Sequence, residues 1–268
     1  MEFSSEIESA AAVLRKSKFL VAFSGAGMSA ESGIPTFRDP GGIWDQFDPE
    51  EIGTAPGLMQ TLTRVPDKIR SFLEQTLKVF LEARPNPGHV ALGTLERLGL
   101  LRTVITQNVD NLHQEAGNTN VLEMHGNLYR QCCLACGRRK MLHRDEFLGT
   151  FLKRLTQLKS FDLPSILREL PRCACGNSMR PDVVMFGEQV QKIQESFEAA
   201  ARCTAMLILG TSGVVYPAAA LPQKAKAAGA TVIEINPGHS SYYGMVDVRI
   251  QAPTGQVLPR IVERMMDA

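Results

Sequence analysis

The chain has 268 residues, 44% of them hydrophobic and 21% charged, with a net charge of +1 at neutral pH. That length can bury a sizeable core in one main domain with a smaller appendage. The near-zero charge gives no global case for nucleic acid as main substrate or for an anionic membrane, and no apolar run approaches the ~20 residues of a membrane helix. Three glutamates precede the first lysine or arginine, the reverse of a signal or transit peptide, so a cytoplasmic protein is expected. Four of the six cysteines fall in two close pairs, which in a reducing compartment favours metal over disulfide.

Ser4–Lys16 reads as an amphipathic helix, with Ile7, Ala10, Ala11 and Leu14 at helical spacing. Residues 19–24 (FLVAFS) form a short apolar run typical of a strand buried on both faces. Gly25, Gly27 and Ala30 follow it in the G-x-G-x-x-G/A pattern. Such glycines allow a tight turn and close approach of a pyrophosphate to a helix N-terminus. The other reading is a glycine-rich turn into an ordinary helix. Hydroxyls at Ser24, Ser29 and Ser32 and the loop Pro35-Thr36-Phe37-Arg38 favour a ligand. No acidic residue ends a second strand about 20 residues on, as a dehydrogenase would require, so a dinucleotide would bind in a different pose.

Residues 39–88 look helical with breaks at Pro40, Gly41, Gly42, Pro49, Pro56 and Pro66, and residues 68–83 form an amphipathic helix. Residues 89–98 give another helix, in which His89 reads as a helix-start or packing residue. The strand Leu101–Thr106 then leads into Gln107, Asn108, Asp110, Asn111 and His113. Ligands of open α/β sheets bind beyond the carboxyl ends of strands, so this polar run reads as a ligand-facing loop. His125 can be read as a catalytic base, a zinc ligand or a core histidine.

Cys133 and Cys136 form one pair and Cys173 and Cys175 another, with glycine after the second cysteine of each. Two such pairs fit a closed four-thiolate zinc site with a structural role. Cys132 competes for the first position; Cys133 is preferred because it leaves the two-residue gap. Residues 145–159 place Phe147, Leu148, Phe151, Leu152, Leu155 and Leu158 on one helical face, the core of the zinc module. Arg130, Arg138, Arg139, Lys140 and Arg144 read as a solvated basic face. Residues 182–186, Ala205–Leu209 and Thr231–Ile235 read as strands, separated by helices at 191–202 and 218–228. This β-α-β alternation predicts an α/β fold: a Rossmann-like parallel sheet with helices on both faces, plus a small zinc-binding helical module.

The runs GAGMSAESGIPTFR (25–38), TQNVDNLH (106–113), HG (125–126), RPDVVMFGE (180–188), GTS (210–212) and INP (235–237), with the cysteine pairs, together resemble the sirtuins. Sirtuins are NAD-dependent protein lysine deacylases. The resemblance implies one catalytic domain over 1–268, its large part about 1–38, 89–127 and 183–268, its helical and zinc part about 39–88 and 128–182. It implies NAD as co-substrate, one structural Zn2+, and acyl-lysine peptides bound as an added strand. Gly25, Ala26, Gly27, Ser29, Thr36, Phe37 and Arg38 would hold the pyrophosphate and nicotinamide ribose, and Gln107, Asn108 and Asp110 the nicotinamide. Gly210, Thr211, Ser212, Asn236 and Thr254 would take the adenosine side. His125 would be the catalytic base. Val184, Phe186, Gly187 and Glu188 would form one peptide wall, with Val214 and Val215 on the facing one. A monomer without terminal extensions is expected. The branch that removes succinyl and malonyl groups carries Tyr and Arg where this chain has Leu73 and Thr76, so acetyl or longer apolar acyl groups are expected. The alternatives are a mono-ADP-ribosyltransferase on the same scaffold and a zinc-module scaffold with a regulatory NAD site.

Overall fold

The computed structural model describes residues 3–267; residues 1, 2 and 268 of the expected domain lie outside them. In chain order the strands are β1 Leu20–Ser24, β2 Leu101–Thr106, β3 Val121–Glu123, β4 Gly126–Cys133 and β5 Arg139–Met141. They continue as β6 Met179–Val183, β7 Ala205–Leu209, β8 Thr231–Ile235 and β9 Val248–Ile250. The chain divides into two compact units. One runs to Ser32 and includes Arg84–Met124 and the residues from Val190 on; the other comprises Gly33–Ala83 and His125–Gln189.

The first unit is built on a six-stranded sheet of order β3-β2-β1-β7-β8-β9, parallel throughout. All five residues of β1 and all five of β7 are buried. Such runs carry no alternation because both faces of the sheet are covered. On one face Leu20, Ala22, Leu207 and Ile233 pack with Leu14, Leu92, Leu258 and Ile261, which come from the helices Ser4–Lys16, Pro87–Arg97 and Thr254–Met266. The alternate residues Val21, Phe23, Met206 and Ile208 pack with Ala200, Leu221 and Ala225 on the other. The chain winds outward from β1 in both directions, so the carboxyl ends of β1 and β7 flank the point where strand order reverses, the usual ligand position in such sheets.

In the second unit Pro49 and Pro66 begin helices and Pro56 is the second residue of one. The expected breaks at these prolines are therefore helix starts, where a missing N–H costs nothing. Asp48, Thr54 and Asp162 cap the helices that follow them. Its three-stranded sheet has the order β5-β4-β6 and is antiparallel. This corrects the sequence reading of residues 182–186 as a strand of the parallel sheet. The strand ends at Val183, and only its Met179 and Asp182 are buried, unlike the fully buried β1 and β7 of the parallel sheet. Asp182 accepts Arg130 Nε at 2.7 Å and Arg139 Nε at 2.8 Å, so two members of the basic cluster are tied into this sheet. The expected helix over 145–159 is a π-helical turn, Asp145–Gly149, followed by an α-helix, Thr150–Thr156. Phe147, Leu148, Phe151 and Leu155 are its buried face.

Candidate active site

In the first unit the loops after β1, β2 and β7 are stitched together by backbone and side chain. Gly25 N donates to Leu209 O, Gly27 N to Gly210 O at 2.8 Å and Gln107 N to Ser24 O at 3.0 Å. A Cβ on Gly25 would stand 2.7 Å from Thr211 Cβ, and one on Gly27 2.9 Å from Gly210 Cα. These glycines are therefore demanded first by the neighbouring loop. The segment they open is a 3-10 helix, Ala26–Ser32, where the sequence pattern suggested an ordinary helix.

Ser29, buried inside that turn, sits at the centre of a polar network. Its hydroxyl donates to Asp110 Oδ2 at 2.6 Å and accepts from Asn108 Nδ2 at 3.0 Å. Asn108 Nδ2 also reaches Gly25 O, and Asp110 Oδ1 accepts Leu112 N at 2.9 Å. Gln107 Nε2 donates to Thr211 Oγ1 at 3.1 Å, and Asn236 Nδ2 to Thr211 O. The fold thus brings Gly25, Gly27, Ser29, Gln107, Asn108, Asp110, Gly210, Thr211 and Asn236 into one hydrogen-bonded assembly.

Behind it stand two buried imidazoles, His89 and His113, with ring centroids 4.9 Å apart. His89 is the third residue of its helix and completes a capping box with Asn86. Its Nδ1 accepts from Asn86 N, so Nε2 carries the proton and points at Ser29 Oγ, 3.5 Å away. Ser24 donates to Thr106 Oγ1, which puts the proton of the 2.9 Å Ser24–His113 contact on His113 Nε2. His113 Nδ1 has no partner among the described residues. Burial pushes His89 down to about 2 and His113 down to about 4, so both rings stay neutral at working pH. Thr254 Oγ1, at the start of the helix Thr254–Met266, is also buried and without a partner among the described residues.

In the second unit His125 lies in the turn just before β4, which Gly126 opens at φ +83. His125 O accepts Val184 N at 2.9 Å, which ties the histidine to the 184–188 loop. Phe186 N donates to Gly53 O, and Gly187 has φ +88. Glu188 accepts Arg180 Nη2 at 2.9 Å and Met185 N at 3.0 Å. The loop carrying Val184, Phe186, Gly187 and Glu188 is therefore held along its length, with Phe186 exposed. Trp44 packs between Phe37 and Phe186, at 5.2 and 6.1 Å between centroids. Nearby residues of this unit, Pro35, Ile43, Gln46, Phe47, Gln75, Thr76, Val79 and Phe80, line a cavity of about 170 Å³.

The sulfurs of Cys133, Cys136, Cys173 and Cys175 all lie within 4.8 Å of one another. Cys133 and Cys175 are 3.5 Å apart, and Cys136 and Cys173 3.6 Å. Four thiolates about 2.3 Å from a central ion stand at such separations, so the set fits tetrahedral zinc. Cys132 is outside it, its Sγ turned to Gly137 O at 3.8 Å.

The family model described as the Sir2 family matches residues 25–217. The chain belongs to the Sir2 family. This Sir2 chain is 52% identical to the NAD-dependent protein deacylase of Desulfosudis oleivorans, over 99% of its own length and 97% of the relative's. It resembles the solved complex of a Sir2 homolog with NAD at a TM-score of 0.78 and 33% identity, covering 97% of this chain and 94% of the other. It also resembles Sir2Af2 bound to a myristoylated histone peptide, at a TM-score of 0.73 and 38% identity, covering 98% and 97%.

Several residues of this Sir2 site carried no role in the sequence reading. Asn86 caps its helix and also donates to Met28 O at 2.8 Å. Glu31 accepts Gly255 N at 2.6 Å and fixes the Thr254–Met266 helix against the glycine turn. His89 has the expected helix-start role and a second one beneath Ser29. The available signal was the pattern Asn86-Pro87-x-His89, an N-cap with a hydrogen-bonding residue three positions on. His113 stood in the polar run after β2, and nothing local marked Glu31.

Proposed function

We propose that this chain is an NAD-dependent protein lysine deacylase, moving the acyl group of acyl-lysine to ADP-ribose and releasing nicotinamide. The observation that carries this reading is the buried Ser29–Asp110–Asn108 network at the sheet's switch point. It fixes amide and carboxylate groups where a scaffold with a merely regulatory site would not need them. NAD bound here would supply an electrophilic anomeric carbon. Gln107, Asn108 and Asp110 would orient the nicotinamide, and preorganised dipoles kept from water there would favour charge development on the ribose. Gly25, Ala26, Gly27, Ser29, Thr36, Phe37 and Arg38 hold the pyrophosphate and nicotinamide ribose. Gly210, Thr211, Ser212, Asn236 and Thr254 hold adenosine, the unpartnered Thr254 hydroxyl being the support for the last.

His125 is the general base, taking a proton from a ribose hydroxyl at neutral pH. Val184, Phe186, Gly187 and Glu188, and separately Val214 and Val215, bind the peptide as an added strand. Zinc held by Cys133, Cys136, Cys173 and Cys175 has no open coordination position and acts structurally. The two compact units together make one catalytic domain, monomeric, cytoplasmic and with no nucleic acid as main substrate. Among the described residues no helix is long and apolar enough to cross a membrane.

Acetyl or longer apolar acyl groups are the substrates. The neutral lining of the Thr76 cavity supports this, because a carboxylate-bearing acyl tail would be buried without a charge partner. The test is nicotinamide release from NAD with and without acetylated and myristoylated peptides. Acyl-dependent release supports the proposal. Transfer of label from NAD to protein without an acyl substrate would make the chain an ADP-ribosyltransferase instead.

A further inference from the structure

The sheet that carries the nucleotide loops buries a charge to which the deacylase chemistry assigns no task. Glu234 lies in β8 two residues before Asn236 and is fully buried. Neither carboxylate oxygen has a hydrogen-bond partner among the described residues. Its counter-charge is Arg249, its register partner in β9, whose Nε stands 3.3 Å from Oε2. A buried ion pair is weak evidence for stability, since packed apolar residues of similar volume often do as well or better. Retaining one calls for another reason.

The rest of the arginine gives that reason. Arg249 Nη2 donates to Gly238 O at 3.3 Å, and its guanidinium lies 4.9 Å from the ring centre of the exposed Tyr243. Glu234 thus holds Arg249, and Arg249 holds the loop after β8. That loop in turn grips the loop after β7. Asn236 Nδ2 donates to Thr211 O at 3.1 Å, Ser241 N to Ser212 O at 2.9 Å and Ser241 Oγ to Gly213 O at 2.6 Å. Tyr242 fills the space a side chain on Gly213 would need, 2.6 Å from that Cβ position, and its hydroxyl donates to Ala219 O.

We propose that Glu234 and Arg249 are a positioning pair that sets the nucleotide residues Gly210–Ser212 and the peptide residues Val214 and Val215 as one rigid piece. The inference rests on the deacylase reading for its peptide arm and only on nucleotide binding for its other arm. Loosening the pair weakens dinucleotide and peptide together, because both are bound by the same loop.

The experiment measures ADP-ribose affinity by calorimetry, and kcat and KM with acetyl-peptide, for Glu234→Gln, Arg249→Met, Arg249→Lys and Tyr243→Ala. Glu234→Gln and Arg249→Met should weaken ADP-ribose binding and raise peptide KM by about fivefold each, with kcat at saturation changed by less than about twofold. Arg249→Lys keeps the charge beside Glu234 but not the planar fork, and falls between wild type and Arg249→Met. Tyr243→Ala removes only the surface clamp and should shift both affinities in the same direction. It decides the matter if the core variants do not fold. Unchanged affinities with only a lower melting temperature, or a selective loss of kcat, would overturn the proposal. Wild-type protein that binds ADP-ribose without turning over acyl-peptide would defeat the deacylase reading, and the calorimetric arm would still test the pair.

Discussion

Ser29 Oγ lies 2.6 Å from Asp110 Oδ2, joining residues 81 positions apart inside a buried pocket. Removing the hydroxyl takes one hydrogen bond from Asp110 Oδ2 and one from Asn108 Nδ2 at once, although Asp110 Oδ1 keeps Leu112 N and Asn108 Nδ2 keeps Gly25 O. Ser29→Ala should therefore cost about 1–3 kcal/mol of stability through the loss of these two bonds, one of them to a carboxylate, and nicotinamide release should fall with it. Thermal melts and NAD turnover measured on the same preparation check both. Wild-type turnover in Ser29→Ala would remove the network from the mechanism.

His125→Ala should lower deacylation by about 10²–10⁴-fold, the usual contribution of a general base. Zinc content and circular dichroism should match wild type, since the backbone bond of His125 O to Val184 N does not need the ring. Comparable rates for the two proteins would assign the proton transfer elsewhere.

Zinc removal should unfold the second unit. The cysteine pairs join the turn after β4 to the segment leading into β6, and the two buried members, Cys133 and Cys173, pack with Met179 in a small cluster of their own. A strong chelator, or Cys173→Ser, should release about one zinc per chain and lower the β content seen by circular dichroism. Retention of the β signal in metal-free protein would contradict this.

The buried imidazoles make stability fall with acid. His113 titrates near 4 in the fold and near 6.5 in the unfolded chain, so below pH 6.5 the unfolded state binds the extra proton. Stability is fully present above pH 6.5 and declines by about 1.4 kcal/mol per pH unit from this site as pH drops toward 4. His89, near 2 in the fold, adds a loss of the same sign that continues to lower pH. At pH 5.5, proton uptake on unfolding should drop by about one in His113→Asn. An unchanged uptake would mean the ring is not neutral in the fold.

Succinyl-peptide should turn over at about a tenth of the acetyl rate or less, given the cost of burying an unpaired carboxylate. Thr76→Arg places a cation among the cavity-lining residues and should narrow that gap by raising the succinyl rate. Equal succinyl and acetyl rates in the unaltered protein would defeat the acyl assignment.

What the sequence by itself determined is local. β2, β7 and β8 occupy the very residues read as strands, because an apolar run covered on both faces is written into consecutive positions. The cysteine pairs are legible for a similar reason: thiolates on tight turns need fixed spacing and glycine, and both are visible in the chain. The glycine turn and the 106–113 run marked loops that the fold joins by hydrogen bonds, although the 3-10 form of Ala26–Ser32 was not readable from its glycines.

Tertiary structure alone decided which polar groups meet. Glu31 finds Gly255 N across 224 positions, Ser24 finds His113 across 89, and Glu234 finds Arg249 through strand register. Residues 182–186 resembled the apolar strands of the parallel sheet, and the strand found there, β6 Met179–Val183, instead pairs antiparallel with β4. Periodicity records which face of an element is buried, not what it is buried against. A buried donor or acceptor must be satisfied, but its partner can come from any part of the chain that the fold brings within 3 Å or so.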